Sequence, residues 1–220
     1  MSDAILPLGD PRLRLKAAPV TDLRDPGFIA ENARLQAALE AFRRANGFGR
    51  GVAAPQIGIP KRFIAVNLGH GTRSLINPEI TWTSPETFTL WDDCMCFPWL
   101  LVRVRRHASI SISFDDEQGV RRHWERLGRS ESELLQHEYD HLDGILATDR
   151  AEGPEAIISR EAFEQFRDHF TRTVDYTIQP LPPDAEPPAR DPRDPKAPRK
   201  AGGKENEEPA EETGILSNRN

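Results

Sequence analysis

Five consecutive residues, His137-Glu138-Tyr139-Asp140-His141, carry the two features that hydrolysis at a metal ion requires. On a helix, side chains four apart lie on one face, so two imidazoles can converge on a single cation. Glu138, beside the first imidazole, then reaches a water at the cation without occupying a coordination position. Such a site wants three protein donors and an open position, and no further histidine or carboxylate follows at the downstream spacing used by metal peptidases with this motif. The third donor therefore comes from upstream. Cys94 and Cys96 are the candidates, because a soft thiolate suits iron or zinc. Cys94, just past an expected strand, is the better of the two. Cys96 competes with it, and only one of them is expected to face the helix without a local kink. A lone cysteine would read instead as a small buried hydrophobe.

These residues need elements to position them. Ser130 and Glu133 form a capping-box pattern ahead of Leu134, Leu135 and Leu142, so the motif is expected on a helix over residues 131–142. Strands are expected over residues 62–67, 74–80, 88–91, 102–106, 109–114 and 120–124, with residues 115–119 as a hairpin loop between the last two. Asp25-Pro26 opens an earlier helix with Phe28, Leu35, Leu39 and Phe42 on one face, and Gly47 closes it. A final amphipathic helix over residues 154–170 is expected to bury Phe163, Phe166 and Phe170. The expected fold class is α+β, with mixed or antiparallel strands packed around the metal-binding helix.

From about Thr177 the composition shifts. Proline accumulates, aromatics stop at Tyr176, and charge separates into a basic block from Arg190 to Lys204 and an acidic block holding Glu205, Glu207, Glu208, Glu211 and Glu212. We expect residues 1–176 to form the catalytic domain and residues 177–220 a disordered, Pro-rich charged tail. A net charge of -6 over 220 residues offers no global basic field, which argues against nucleic-acid binding through phosphate neutralisation. Neither a signal-like start nor a bilayer-length apolar run is apparent, so a cytoplasmic location without membrane association is expected. Two cysteines so close together give no disulfide framework and fit a reducing compartment.

Three separated segments resemble the peptide deformylase family, in the same order and at similar spacing. Gly49-Arg50-Gly51-Val52-Ala53-Ala54-Pro55-Gln56 is similar to that family's G-x-G-x-A-A-x-Q. Asp92-Asp93-Cys94-Met95-Cys96 stands in the place of E-G-C-L-S, and Gln136 to Gly144 matches Q-H-E-x-D-H-L-x-G closely. The resemblance implies one ferrous ion per chain, with Zn2+, Ni2+ or Co2+ as substitutes, held by Cys94, His137 and His141. It implies Glu138 as the catalytic acid/base, with the Gln56 side-chain amide and the Met95 backbone N–H stabilising the tetrahedral oxyanion. Gly49 and Gly51 would keep the backbone thin beside the substrate. The implied reaction removes the formyl group from the initiator methionine of nascent chains, which makes formyl-methionyl peptides, and the ribosome that presents them, the partners.

The departures fall around the cysteine. Asp92 replaces the usual Glu, Asp93 the usual Gly, Met95 the usual Leu and Cys96 the usual Ser. The Asp93 carboxylate is expected to work against a developing negative charge in the site. Ser132-Glu133 stands where the family often has Ala followed by Arg or an apolar residue, on a helix face that can border the methionine pocket. Two other readings remain: a weakly active or non-catalytic deformylase-like metal-binding module, and a zinc peptidase built on the same helix motif. His70, His107, His123 and His169 fit no ligand spacing, while Trp91 and Trp99 flank the cysteine segment as pocket or core residues.

Overall fold

A computed structural model describes residues 4–178. The expected tail therefore lies outside the described residues, apart from Thr177 and Ile178. The first long helix, α1 (Pro26–Asn46), begins where the sequence signals place it: the Asp25 carboxylate accepts the Phe28 N–H at 3.0 Å and Pro26 occupies the first turn. Gly47, at φ 74°, ends it in the left-handed conformation that glycine adopts at no steric cost.

Strands β1 (Gly51–Ala53), β2 (Phe63–Asn67), β3 (Thr72–Thr83), β6 (Ile110–Asp115) and β7 (Arg121–Trp124) form one sheet in the order β1-β2-β3-β6-β7. Strands β4 (Thr87–Asp92), β5 (Leu100–His107) and β8 (Ile157–Ser159) form a second, in the order β4-β5-β8. All of these pairings are antiparallel. The β3 register shifts between Ile76 and Glu79, where Asn77 takes φ 47° and its side chain bonds both backbone groups of Val20. That irregularity bends a long strand, so that its first half pairs with β2 and its second with β6.

Helix α2 (Arg129–Leu142) packs on one face of the larger sheet and α1 on the other. Alternate residues of β2 divide accordingly: Ile64 and Val66 join Leu134, Leu135 and Leu142 of α2, whereas Phe63 and Ala65 join Phe28, Leu35 and Leu39 of α1. Burial on both faces explains why the strand is apolar from Phe63 to Val66. Each of the larger of these side chains taken out of water contributes roughly 1.5–3 kcal/mol. A third core, under β4 and β5, contains Phe88, Leu90, Val102 and Val104 together with Cys94, Cys96 and Phe97.

Three expectations need correction. Helix α2 starts two residues before the expected box, with Gly128 as N-cap and no side-chain capping bond. Glu133 instead turns inward. The final helix is replaced by β8 and two short helices, α3 (Arg160–Gln165) and α4 (Arg167–Thr171), because Ser159 caps the first and Phe166 breaks the run at φ -119°. Phe163 is buried and stacks on Phe170, but Phe166 is 53% exposed. Strands β1 and β8, three residues each, were not expected from the pattern.

Candidate metal centre

The walls of the site come from α2, from the turn after β4, and from β1 with the short 3-10 turn that follows it. His137 and His141, four apart on α2, are both buried and their Nε2 atoms lie 3.2 Å apart. Cys94 Sγ lies 3.4 Å from His141 Nε2. The donor atoms of Cys94, His137 and His141 all fall within 4.8 Å of one another, a group that could hold a metal ion. The fit is chemical as well as geometric, since inward-facing imidazole nitrogens and a thiolate suit a borderline or soft divalent cation.

Electrostatics set the state of these groups. Burial works against a charge on His137, but the Asp92 carboxylate, 2.9 Å from Nδ1, more than offsets it and raises the imidazole to about 9. Burial and the neighbouring His137 hold His141 well below the ordinary histidine value. Burial also pushes the Cys94 thiol up. A bound cation inverts that logic by stabilising the thiolate and the neutral imidazoles.

Glu138 is buried, and its Oε2 has no hydrogen-bond partner among the described residues. Burial raises its carboxyl to about 7 against the opposing pull of His137. Gly51 makes room for it: a Cβ there would meet Glu138 Oε1 at 2.8 Å and Cγ at 2.9 Å. This glycine thus admits the carboxylate. Gly49, at φ 112°, similarly admits the Met95 methyl group and Phe42. Both glycines and Met95 line the cavity.

Gln56 is fixed by its own turn. Its Oε1 accepts the Ala53 N–H at 2.7 Å, which directs Nε2 toward Cys94 Sγ at 3.7 Å and Cys96 Sγ at 3.5 Å. Residues 94–97 turn rather than extend, so both sulfurs reach Gln56, and the Cys96 N–H donates to Cys94 Sγ at 3.4 Å. The cation-donor group contains Cys94 and not Cys96.

Beyond the donors runs a buried chain of charges. Asp92 Oδ2, bonded to His137, also accepts from Arg106 at 3.0 Å, and Arg106 reaches Asp140, which Arg150 clamps from outside at 2.6 Å. Asp92 therefore orients a histidine of the cation-donor group through its Nδ1. The sequence signals this only weakly: Asp92 and Asp140 sit inside the motifs, but nothing nearby marks Arg106 as their partner. His107 has a structural place, its Nδ1 2.7 Å from the Ser84 carbonyl.

Around the site lies a cavity of about 520 Å³, lined in part by Phe48, Arg50, Asp93, Leu101, Glu133 and Tyr176. The Asp93 carboxylate pairs with Arg160 at 2.8 Å, which offsets the charge expected to act on the site. The backbone at Asp93 does not use glycine's freedom either, since among the described non-glycine residues only Asn77 and Arg126 have positive φ. Trp91 lines the cavity with its Nε1–H donating to the Phe170 carbonyl at 3.0 Å, whereas Trp99 is 55% exposed.

Antiparallel sheets bring a thiol and two imidazoles together beside a buried carboxylate, the arrangement that a metal-dependent hydrolase would need. Residues 2–156 match the family model for polypeptide deformylase. Curated relatives agree: the peptide deformylase of Thermotoga maritima is 34% identical over 155 residues, covering 70% of this chain and 89% of the relative. That of Natranaerobius thermophilus is 40% identical over 144 residues, covering 65% and 88%. The crystal structure of the Thermotoga maritima peptide deformylase superposes with a TM-score of 0.63 at 33% identity, covering 70% of this chain and 99% of that one. The chain belongs to the peptide deformylase family, a family of hydrolases.

Proposed function

We propose that this protein is a metal-dependent hydrolase that removes the N-formyl group from the first residue of newly made peptides, formyl-methionine being the substrate to which the family likeness points. The observation that carries the reading is Glu138: a buried carboxylate, raised to about 7, whose Oε2 has no hydrogen-bond partner among the described residues, beside the Cys94–His137–His141 group. Cys94, His137 and His141 are the residues that would hold the cation, ferrous iron as the family suggests, with zinc, nickel or cobalt as substitutes. When bound, the cation supplies Lewis-acid polarisation of the formyl carbonyl and activation of water.

Glu138 takes the proton of the attacking water at Oε2 and returns it to the departing amine nitrogen, which is a poor leaving group unprotonated. Gln56 is suited to donate its Nε2–H to the developing oxyanion, since Oε1 is already anchored on Ala53. The Met95 backbone N–H is the proposed second donor. Asp92 and Arg106 hold His137 in the tautomer that directs Nε2 inward. Formylated nascent chains, and the ribosome that presents them in the cytoplasm, are the corresponding partners. No described helix is long and apolar enough to cross a membrane.

Replacing Glu138 tests the assignment. Glu138→Ala is expected to keep the bound metal and lose turnover of formyl peptides by about 10² to 10⁴, the usual worth of general acid/base catalysis. Turnover within a few-fold of the parent would remove Glu138 from the reaction.

A further inference from the structure

The cavity wall next to the cation-donor group is charged. Glu133 lies four residues before His137 on the same face of α2, about 6 Å along the helix axis. Arg50 directly precedes Gly51, which packs on Glu138. The two therefore line the cavity beside Glu138 and His137, within reach of the first side chain of a peptide whose formyl group would sit at the cation-donor group. Arg50 Nη2 pairs with Glu133 Oε1, and Nη1 donates to Ser130 O at 3.0 Å and Oγ at 3.1 Å. These contacts use three of the five guanidinium hydrogens, and among the described residues two are left for another acceptor.

Charge around the cavity adds to this. Outside the cation-donor group, Asp92 and Glu138, the lining includes Arg43, Arg50, Arg160 and Arg167 against Asp93, Glu133 and Glu164. Asp93 and Glu164 are paired with Arg160 and Arg167. Burial raises Glu133 to about 7 against the pull of Arg50, so the guanidinium charge is incompletely matched near neutral pH. An apolar side chain pressed on this wall would strip water from a charged group and return no hydrogen bond.

We propose that Arg50, held in place by Glu133, selects the side chain beside the formyl group, and that the preferred substrate is a formylated residue ending in a carbonyl-oxygen acceptor, a carboxylate or carboxamide, ahead of methionine. This rests on the deformylase reading and changes only its side-chain preference.

The test uses the full-length, nickel-loaded protein and four peptides that share one sequence after formyl-Glu, formyl-Gln, formyl-Met or formyl-norleucine. Relative kcat/KM is measured on the parent, and calorimetric binding on Glu138→Gln, in which turnover is blocked. The Glu or Gln peptide is expected to exceed the norleucine peptide at least tenfold in both, and the ratio of Glu to Gln separates charge from hydrogen bonding. Glu133→Gln, a mild change, is expected to raise the Glu-to-Gln ratio about tenfold. The double variant Arg50→Leu, Glu133→Leu is expected to invert the order toward norleucine. Equal or better binding of norleucine or methionine by the parent wall would overturn the proposal. If no peptide is hydrolysed, the deformylase reading falls, and the binding order still decides the role of Arg50.

Discussion

Glu138 and Gly51 meet where a proton carrier needs room and a glycine provides it: Oε1 and Cγ lie where a Cβ of residue 51 would be crowded. The φ of Gly51 is not positive, so alanine fits the backbone there and acts only through its methyl group. That methyl would displace Glu138 at Cγ and Cδ as well as at its oxygen, and a misplaced catalytic group of this kind can cost on the order of 10²-fold. Gly51→Ala is expected to retain its metal and lose kcat/KM by at least about tenfold. Paired metal analysis and peptide kinetics check this. Equal kinetics would mean that Glu138 works from a position Gly51 does not control. Asp93 shows the opposite case at the same scale: its carboxylate lines the cavity, but Arg160 takes up its charge.

Helix α2 and strands β4 and β5 are joined by charges rather than by apolar contact alone. Arg106, 3% exposed, bridges Asp92 of β4 and Asp140 of α2. Arg106→Met would leave two buried carboxylates short of a partner, a loss on the order of 3–5 kcal/mol that denaturant unfolding measures directly. A change below about 1 kcal/mol would show that water reaches the carboxylates in its place. Glu133 gives the same helix a pH dependence. Its carboxyl is raised in the folded state to about 7 from 4.5, so the folded chain binds the extra proton between those values. That stability is fully present below about pH 4.5 and is lost as pH rises through about 7, a term on the order of 3 kcal/mol. In Glu133→Gln the difference in unfolding free energy between pH 5 and pH 8 is expected to shrink by that order; an unchanged difference would assign the pH dependence to other groups. Local signals made α1, the hairpin after β6 and the His-Glu helix legible, because a cap, a turn or a four-residue spacing is complete within one segment. Arg50 with Glu133 and Arg106 with Asp140 were not legible, since their partners meet only after both sheets close. The last helix failed for a related reason: Phe163, Phe166 and Phe170 have a helical spacing, yet β8 pairs with β5 and fixes the chain before a long helix can form.

At the scale of the whole molecule, two cores on the faces of one sheet and a third beneath the other hold α2 and the cysteine turn together. The α+β class and the grouping of Cys94 with His137 and His141 were readable because residue type limits them so sharply: two cysteines, and one pair of histidines four apart. The charge of the cavity wall was not, because a net charge of -6 says nothing about where arginines gather. The central claim is that Cys94, His137 and His141 hold a cation that the hydrolysis of a formamide requires. It is tested most directly by preparing the full-length protein without oxygen, stripping it with a chelator, restoring it with ferrous iron or nickel, and assaying formyl-methionyl and formyl-glutamyl peptides at each stage. One metal per chain is expected, with hydrolysis lost on stripping and regained on restoration, and with both binding and hydrolysis lost in Cys94→Ala. Full metal content in Cys94→Ala, or formyl hydrolysis that survives stripping, would contradict it.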